Sequence, residues 1–349
     1  MSVCIAGKNI GKNSPPFIIA EMSGNHNQSL ERALKIVEVA AECGADAIKL
    51  QTYTADTMTL DVRGGSFEIE DKKSLWKGEN LHQLFSKAYT PWEWHESIFK
   101  KAKEHNIICF SSPFDETAVD FLDSLNVPAF KIASFENNHI PLIRKAASKG
   151  KPIIISTGMA DVGEISKAVK IVNSFTDQLI LLKCTSNYPS QPTNANIRTI
   201  PHMKNLFKCE VGLSDHTMGI GVPVASISLG ATVIEKHFTL DRSEGGVDAE
   251  FSMEPKELNQ LVIESKRAWQ AQGNIVYGPT QDEERSCIYR RSIYISSDIK
   301  KGEFFNEENI KIIRPGDGAP PDFYEFIIGT KSKKDYAKGT PLNIKDIFN

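Results

Sequence analysis

The stretch AFKIASFENNHIPLIRKAASKGKPIIISTG, Ala129–Gly158, decides how this chain is read. It holds two short apolar runs, AFKIAS (Ala129–Ser134) and PIIISTG (Pro152–Gly158), with a helical pattern between them. Gly150 stands just before the second run, where a helix C-cap is expected. Runs this apolar, with small or polar residues only at their ends, suit parallel strands buried on both faces. Strand, helix and strand in that order make one βαβ unit.

The unit recurs in both directions. Upstream lie PFIIAEMS (Pro16–Ser23), DAIKLQTY (Asp46–Tyr53) and IICFSSPF (Ile107–Phe114). Downstream lie LILLKCTS (Leu179–Ser186), CEVGLSDH (Cys209–His216) and TVIEKHFT (Thr232–Thr239). Leu30–Cys43 sets Leu34, Val37 and Ala41 on one helical face, with Ser29 as cap and Gly44 as stop. Asp161 and Glu164 have capping-box spacing, Thr90–Pro91 reads as an N-cap followed by a first-turn proline, and Gly230 reads as a C-cap. Eight such units over about 275 residues predict an α/β fold of the TIM (β/α)8 barrel type. No G-x-G-x-x-G follows the first strand, which argues against an open dinucleotide-binding sheet. The connection Thr54–Tyr89 exceeds the usual βα loop of about 2–6 residues. It carries Gly64–Gly65 and an exposed-looking Leu75–Trp76, and reads as a functional loop or an excursion packed on the rim.

After an eighth helix, about Pro255–Gln270, the pattern changes. The reading divides the chain into a barrel (1–272), a polar linker (273–289) and a tail of short strands and turns (290–349). A tail of about 60 residues builds only a marginal core, so it is expected to dock on something.

Composition narrows the function. The 349 residues carry 41 Lys+Arg against 44 Asp+Glu, a net charge of −3, without the basic excess of a nucleic-acid binder. No run of about 18 apolar residues suggests a membrane span, and the first residues lack the apolar core of a signal peptide. Cys4, Cys43, Cys109, Cys184, Cys209 and Cys287 are scattered, with no C-x-x-C. They read as structural thiols of a cytoplasmic protein.

Catalytic groups of such barrels stand at the C-terminal strand ends. His216 and His237 end the seventh and eighth strands, and closure brings the first strand, with Glu21, alongside. Two imidazoles and a carboxylate predict a divalent-metal site, with Glu235 one layer deeper as a supporting partner. His82, His95, His105, His139 and His202 read as structural. Lys49 and Lys131 converge with Ser112, Ser134, Ser156 and Ser214, a set suited to a small phosphorylated carboxylate. A structural ion pair and a Schiff-base lysine remain alternatives at this level, as does a catalytically silent carbohydrate-binding protein.

The same residues carry a resemblance. IIAEMSGNHN, DAIKLQTY, FSSPFD, FKIASFE, IISTGM, KCTSNYP, VGLSDHT, EKHFT and GVDAEFSM, in this order, resemble the sialic acid synthase family across the whole barrel. RRSIYI and IKIIRPGDG resemble the antifreeze-like SAF domain, a β-clip, that ends those enzymes. EMSGNHNQSLERAL, KLQTYTADTMTL, LWKG and YTPWEWH look most like the pseudaminic acid branch.

The resemblance implies a transferase joining phosphoenolpyruvate to 2,4-diacetamido-2,4,6-trideoxy-L-altrose, with C–O cleavage releasing phosphate. N-acetylneuraminate or legionaminate synthesis, with another amino sugar, is the alternative, and bacterial surface or flagellin glycosylation the implied setting. It assigns Mn²⁺ or Mg²⁺ to His216 and His237, with Glu21 nearby. It assigns phosphoenolpyruvate to Lys49, Ser112, Lys131, Ser134, Ser156 and Ser214, and the sugar to Gln51, Glu136, Tyr188 and Asp248. Ser186 and Asn187 both remain open for the phosphate. Glu21 or Glu136 is implied as the proton-transfer group. A domain-swapped homodimer is implied, with Arg314 reaching the partner's sugar site.

Overall fold

The computed structural model describes residues 2–70 and 75–348. A short antiparallel hairpin, β1 (Val3–Ile5) and β2 (Lys8–Ile10), comes first. Eight parallel strands then close into a barrel in chain order. They are β3 (Phe17–Glu21), β4 (Ala47–Thr52), β5 (Ile108–Pro113), β6 (Phe130–Ile132), β7 (Ile153–Ser156), β8 (Leu179–Cys184), β9 (Glu210–Asp215) and β10 (Val233–His237). β10 pairs with both β9 and β3, and that closure sets His237 opposite Glu21 and Glu21 opposite Lys49.

Side-chain alternation explains why the strands read as continuous apolar runs. Ile18, Ala20, Ile48, Leu50, Ile153, Ile155, Leu181 and Val211 pack against the helices. Phe17, Ile19, Ala47, Phe110, Ile154, Ile180, Leu182 and Val233 fill the barrel interior. One layer above them the inward positions turn polar: Glu21, Lys49, Ser112, Lys131, Ser156, Ser214 and Glu235, all buried.

The hairpin belongs to the interior cluster. Val3, Ile5 and Ile10 join the apolar residues that fill the barrel and form its floor. The Cys4 N–H donates to Gln178 Oε1 (2.9 Å), and Lys8 pairs with Asp46 (2.6 Å). Strands of three residues are too short for periodicity to reveal them.

α1 (Leu30–Glu42) is capped by Ser29, whose Oγ accepts the Arg32 N–H, and its buried residues are Ala33, Ile36, Val37 and Ala40. This stripe shares only Val37 with the expected face. Each fully buried Ile or Val contributes about 1.5–3 kcal/mol. The helix Val162–Asn173 opens with the Asp161/Glu164 capping box. Gly44, Gly150 and Gly230 adopt positive φ where stops were expected.

Thr90 does not cap a helix. Pro91 precedes a 3-10 turn (Trp92–Trp94) that leads into His95–Glu104, and Thr90 is buried with its hydroxyl 3.3 Å from His26 Nε2. The long connection holds two further helices, Ala55–Met58 and Leu81–Ala88, the latter capped by Asn80. Its residues Asp71–Ser74 lie outside the described residues.

The chain separates into two compact units, Met1–Gly273 and Asn274–Asn349. The second has an antiparallel pair, Ser292–Ile295 with Ile310–Ile313, and a core of its own that includes Ile293, Ile295, Phe305, Ile310 and Leu342. Part of the expected linker is built into this unit: Glu284–Tyr289 forms a 3-10 turn, and Ile288 O accepts the Gly316 N–H. Among the described residues no helix is long and apolar enough to cross a membrane.

Candidate active site

The polar layer of the barrel is an ionic network. Lys49 Nζ lies 2.5 Å from Glu21 Oε2, 3.2 Å from Ser112 Oγ and 3.9 Å from Glu235 Oε1. Lys131 Nζ lies 2.7 Å from Glu235 Oε1, which also accepts from Ser214 Oγ at 3.2 Å. Gln51 Nε2 donates to Glu21 Oε1 at 3.0 Å. Two cations and two carboxylates balance, which is what permits their burial. Burial drives the Glu21 carboxyl up to about 7 despite Lys49 beside it. Burial would raise Glu235 as well, but Lys131 and Lys49 hold it below its ordinary value. Glu235 therefore serves the lysines rather than His237, which corrects the expected support role.

Hydroxyls gather on one side of this network. Ser134 Oγ accepts the Gly158 N–H at 3.1 Å. Ser156 Oγ is buried without a hydrogen-bond partner in the structure. A Cβ on Gly158 would lie 2.1 Å from Ser186 Oγ and 2.7 Å from Ser134 Oγ, so a side chain there would push both hydroxyls out of their present positions. Asn187 is exposed, whereas Ser186 faces this cluster. Glu136 stands at the edge with Oε2 buried and unpartnered, and burial pushes its carboxyl to about 7. A group with that value can both take and give a proton near neutrality.

The two histidines face each other with ring centroids 5.4 Å apart. His216 Nδ1 lies 2.9 Å from the Thr185 carbonyl, which favours the Nδ1–H tautomer and frees Nε2 as a ligand. His237 Nδ1 is buried without a hydrogen bond, and burial holds the ring well below its ordinary value, in the neutral form that metals require. Among the described residues no three His, Cys, Asp or Glu side chains converge as a complete metal cage. Two imidazoles could hold an ion only with its other positions supplied by substrate or water.

Glu21 is not the carboxylate of this pair, because Lys49 and Gln51 occupy it. Asp248 is nearer, with Oδ2 at 3.9 Å from His237 Nδ1 and accepting from Ser23 Oγ. Burial raises the Asp248 carboxyl.

Cys184, expected to be a structural thiol, points inward with Sγ 3.9 Å from His216 Nδ1. Burial alone would raise it, but His216, with Ser134 and Lys131, together outweigh burial and bring the thiol to about 7. Counting in twos from Ile180 and Leu182 would have found it. The same count turns Lys183, Asp215 and Ser111 away from the interior: Asp215 pairs with Lys236 (2.7 Å), and Ser111 with Thr52 (2.6 Å).

The rim beside the histidines is aromatic. The Tyr188 ring lies 4.3 Å from His216, 5.2 Å from Phe251 and 6.1 Å from Trp76. Trp76 Nε1–H donates to Val247 O at 2.9 Å, next to Asp248. A cavity of about 480 Å³ opens on the rim between Gly24, Trp76, Gly246 and Val247, and neither the histidines nor the buried lysines line it. Arg314 lies in the second unit and is exposed.

A closed barrel with a buried ionic, hydroxyl-rich layer and a histidine pair at its strand ends, followed by a small β unit, carries the groups with which an enzyme can hold a small anion. The chain belongs to the NeuB family, whose model matches residues 36–277, and an SAF domain matches residues 290–347. It is a nonulosonic acid synthase, a transferase that condenses phosphoenolpyruvate with an amino sugar. Enzymes of this family are generally metal-dependent.

A pseudaminic acid synthase of Campylobacter jejuni is 43% identical over 339 residues, covering 97% of this chain and 98% of the relative. An N,N'-diacetyllegionaminic acid synthase of the same species is 36% identical, covering 92% and 96%. The crystal structure of N-acetylneuraminic acid synthetase from Leptospira borgpetersenii, in complex with citrate, superposes with a TM-score of 0.73 at 33% identity, covering 83% and 96%.

Proposed function

We propose that this chain is a pseudaminic acid synthase, joining phosphoenolpyruvate to 2,4-diacetamido-2,4,6-trideoxy-L-altrose. The observation that carries the reading is the 43% identity with a pseudaminic acid synthase against 36% with the legionaminic enzyme, each over nearly the full length.

Lys49 and Lys131, with Ser112, Ser134, Ser156, Ser186 and Ser214, hold the phosphate and carboxylate of phosphoenolpyruvate. Fixed donors of this kind stabilise charge throughout a reaction without reorganising. Gln51, Tyr188 and Asp248 line the sugar. His216 and His237 hold Mn²⁺ or Mg²⁺, which when bound supplies Lewis-acid polarisation of the sugar aldehyde. C3 of phosphoenolpyruvate bonds to the aldehyde carbon, and its C2 becomes an oxocarbenium-like centre. Water adds at C2, and the tetrahedral product breaks its C–O bond to release phosphate, which takes the C2 hydroxyl's proton as the ketone forms.

The new alkoxide gains a proton and the water loses one. Glu136, with a free buried oxygen near neutrality, suits that exchange better than Glu21, which Lys49 and Gln51 hold. The catalytic domain runs 1–272 and the tail domain 290–349, with the turn Glu284–Tyr289 of the linker packed onto the tail, and Arg314 reaches the sugar site of a partner subunit in a homodimer.

Purified protein with Mn²⁺ should release phosphate with this sugar and not with N-acetylmannosamine. Release with N-acetylmannosamine or a legionaminate precursor, and none with the L-altrose sugar, would overturn the branch assignment. Bridging-¹⁸O phosphoenolpyruvate should pass its label to phosphate; label kept in the sugar acid would exclude C–O cleavage.

A further inference from the structure

The barrel has a second concave site, separate from the strand-end pocket. A cavity of about 570 Å³ opens between the loop after β8 and the first turn of the helix that follows β9. Lys183, Thr193, Asn196, Arg198, Thr199 and Val222 line it, and no carboxylate does.

Its charge is uncompensated. Neither Lys183 nor Arg198 has an ion-pair partner among the described residues. Lys183 sits near the outward end of β8, where alternation turns it away from the interior. Its Nζ donates to Cys184 O at 2.7 Å and Thr185 Oγ1 at 3.0 Å. An ammonium has three donors, so one N–H remains for an occupant. Burial lowers this lysine below its ordinary value, the mark of a cation lacking a counter-charge. Two cations on a concave wall focus positive potential into the space between them.

We propose that this cavity binds the phosphate group of a small metabolite. Lys183 and Arg198 supply the charge, and Thr193 and Thr199 supply hydroxyl donors. The volume falls within the roughly 300–1,000 Å³ of small-molecule sites and exceeds what a bare phosphate fills. Ile197 and Val222 offer an apolar wall for the remainder. The site backs onto the metal pair, because Thr185, which receives Lys183 on its hydroxyl, also presents its carbonyl to His216.

The test is equilibrium dialysis of the full chain against radiolabelled inorganic phosphate. Wild type should show two classes of site. Arg198→Gln, an exposed substitution, should weaken one class by at least about tenfold, and Lys183→Met should weaken the same class. Ser134→Ala with Ser156→Ala should weaken only the other. Chemical-denaturation midpoints confirm that each variant is folded.

A single class lost in the serine variant, or two classes unchanged in both Arg198→Gln and Lys183→Met, would overturn the proposal. Loss of a class in the cation variants, with none lost in the serine variant, would refute the strand-end phosphate assignment and leave this one standing. Displacement by glycerol 3-phosphate names the source. Tighter competition than unlabelled phosphate supports an organic phosphate, and equal competition supports free phosphate.

Discussion

Replacing Glu136 with glutamine should make the protein more stable and less active, and the first effect should depend on pH. The carboxyl is pushed from an ordinary value near 4.5 to about 7, chiefly by burial. A group whose folded value lies above its unfolded value binds its proton more tightly in the folded state. Folding stability is therefore lost as pH rises from about 4.5 through about 7. At roughly 1.36 kcal/mol per pH unit, the full cost at pH 8.5 is about 3 kcal/mol, reduced toward about 2 by the group's partial exposure. At pH 5 it is under about 1 kcal/mol. Glutamine keeps the shape and never ionises. Urea denaturation of Glu136→Gln against wild type should show a gain of about 2–3 kcal/mol at pH 8.5 that nearly vanishes at pH 5. Phosphate release at pH 7.5 should fall by about 10²–10⁴-fold, the usual range for a proton-transfer group. An equal stability change at both pH values would refute the burial argument. A stability gain with unchanged turnover would refute the proton-transfer role.

Three further outcomes are expected. His216→Ala and His237→Ala should each bind Mn²⁺ more weakly by more than the roughly 10–100-fold typical of losing an outer partner, as read by metal titration. Gly158→Ala places a methyl against Ser186 and Ser134 and should cost about 1–3 kcal/mol, with a raised KM for phosphoenolpyruvate; an unchanged KM would remove the hydroxyl cluster from that substrate's site. Deleting residues 2–10 strips Val3, Ile5 and Ile10 from the floor and should cost roughly 5 kcal/mol or more by chemical denaturation, while the folded fraction keeps its KM values.

Much of the fold was legible because the interior and the helix-facing layer of the barrel are both apolar. Each of the eight barrel strands showed as a run, and the polar ends marked where the interior stops. The site was legible to the depth of one strand. Lys49, Lys131 and the serines share their inward parity with apolar residues below them, so their convergence followed from closure. What it did not show depends on side chains meeting across strands. Glu21 could have faced His237 or Lys49, and the lysine is nearer. Asp248 comes from the loop after β10, and nothing local says that its carboxylate returns to the histidine. Cys184 was read as structural because an apolar run hides a thiol, although counting in twos along β8 turns it inward.

The floor of the barrel sets an order on its own construction. β1 and β2 leave the ribosome before any barrel strand, yet they seat against a surface whose last wall, Val233, is made far later. At roughly 5–20 residues per second, the hairpin waits on the order of ten to forty seconds for its place. During that interval Val3, Ile5 and Ile10 are exposed on a nascent chain. A segment made before the barrel strands thus cannot be packed until the last of them is in place, and a partner that shields these three residues during translation would act on yield without touching the finished enzyme.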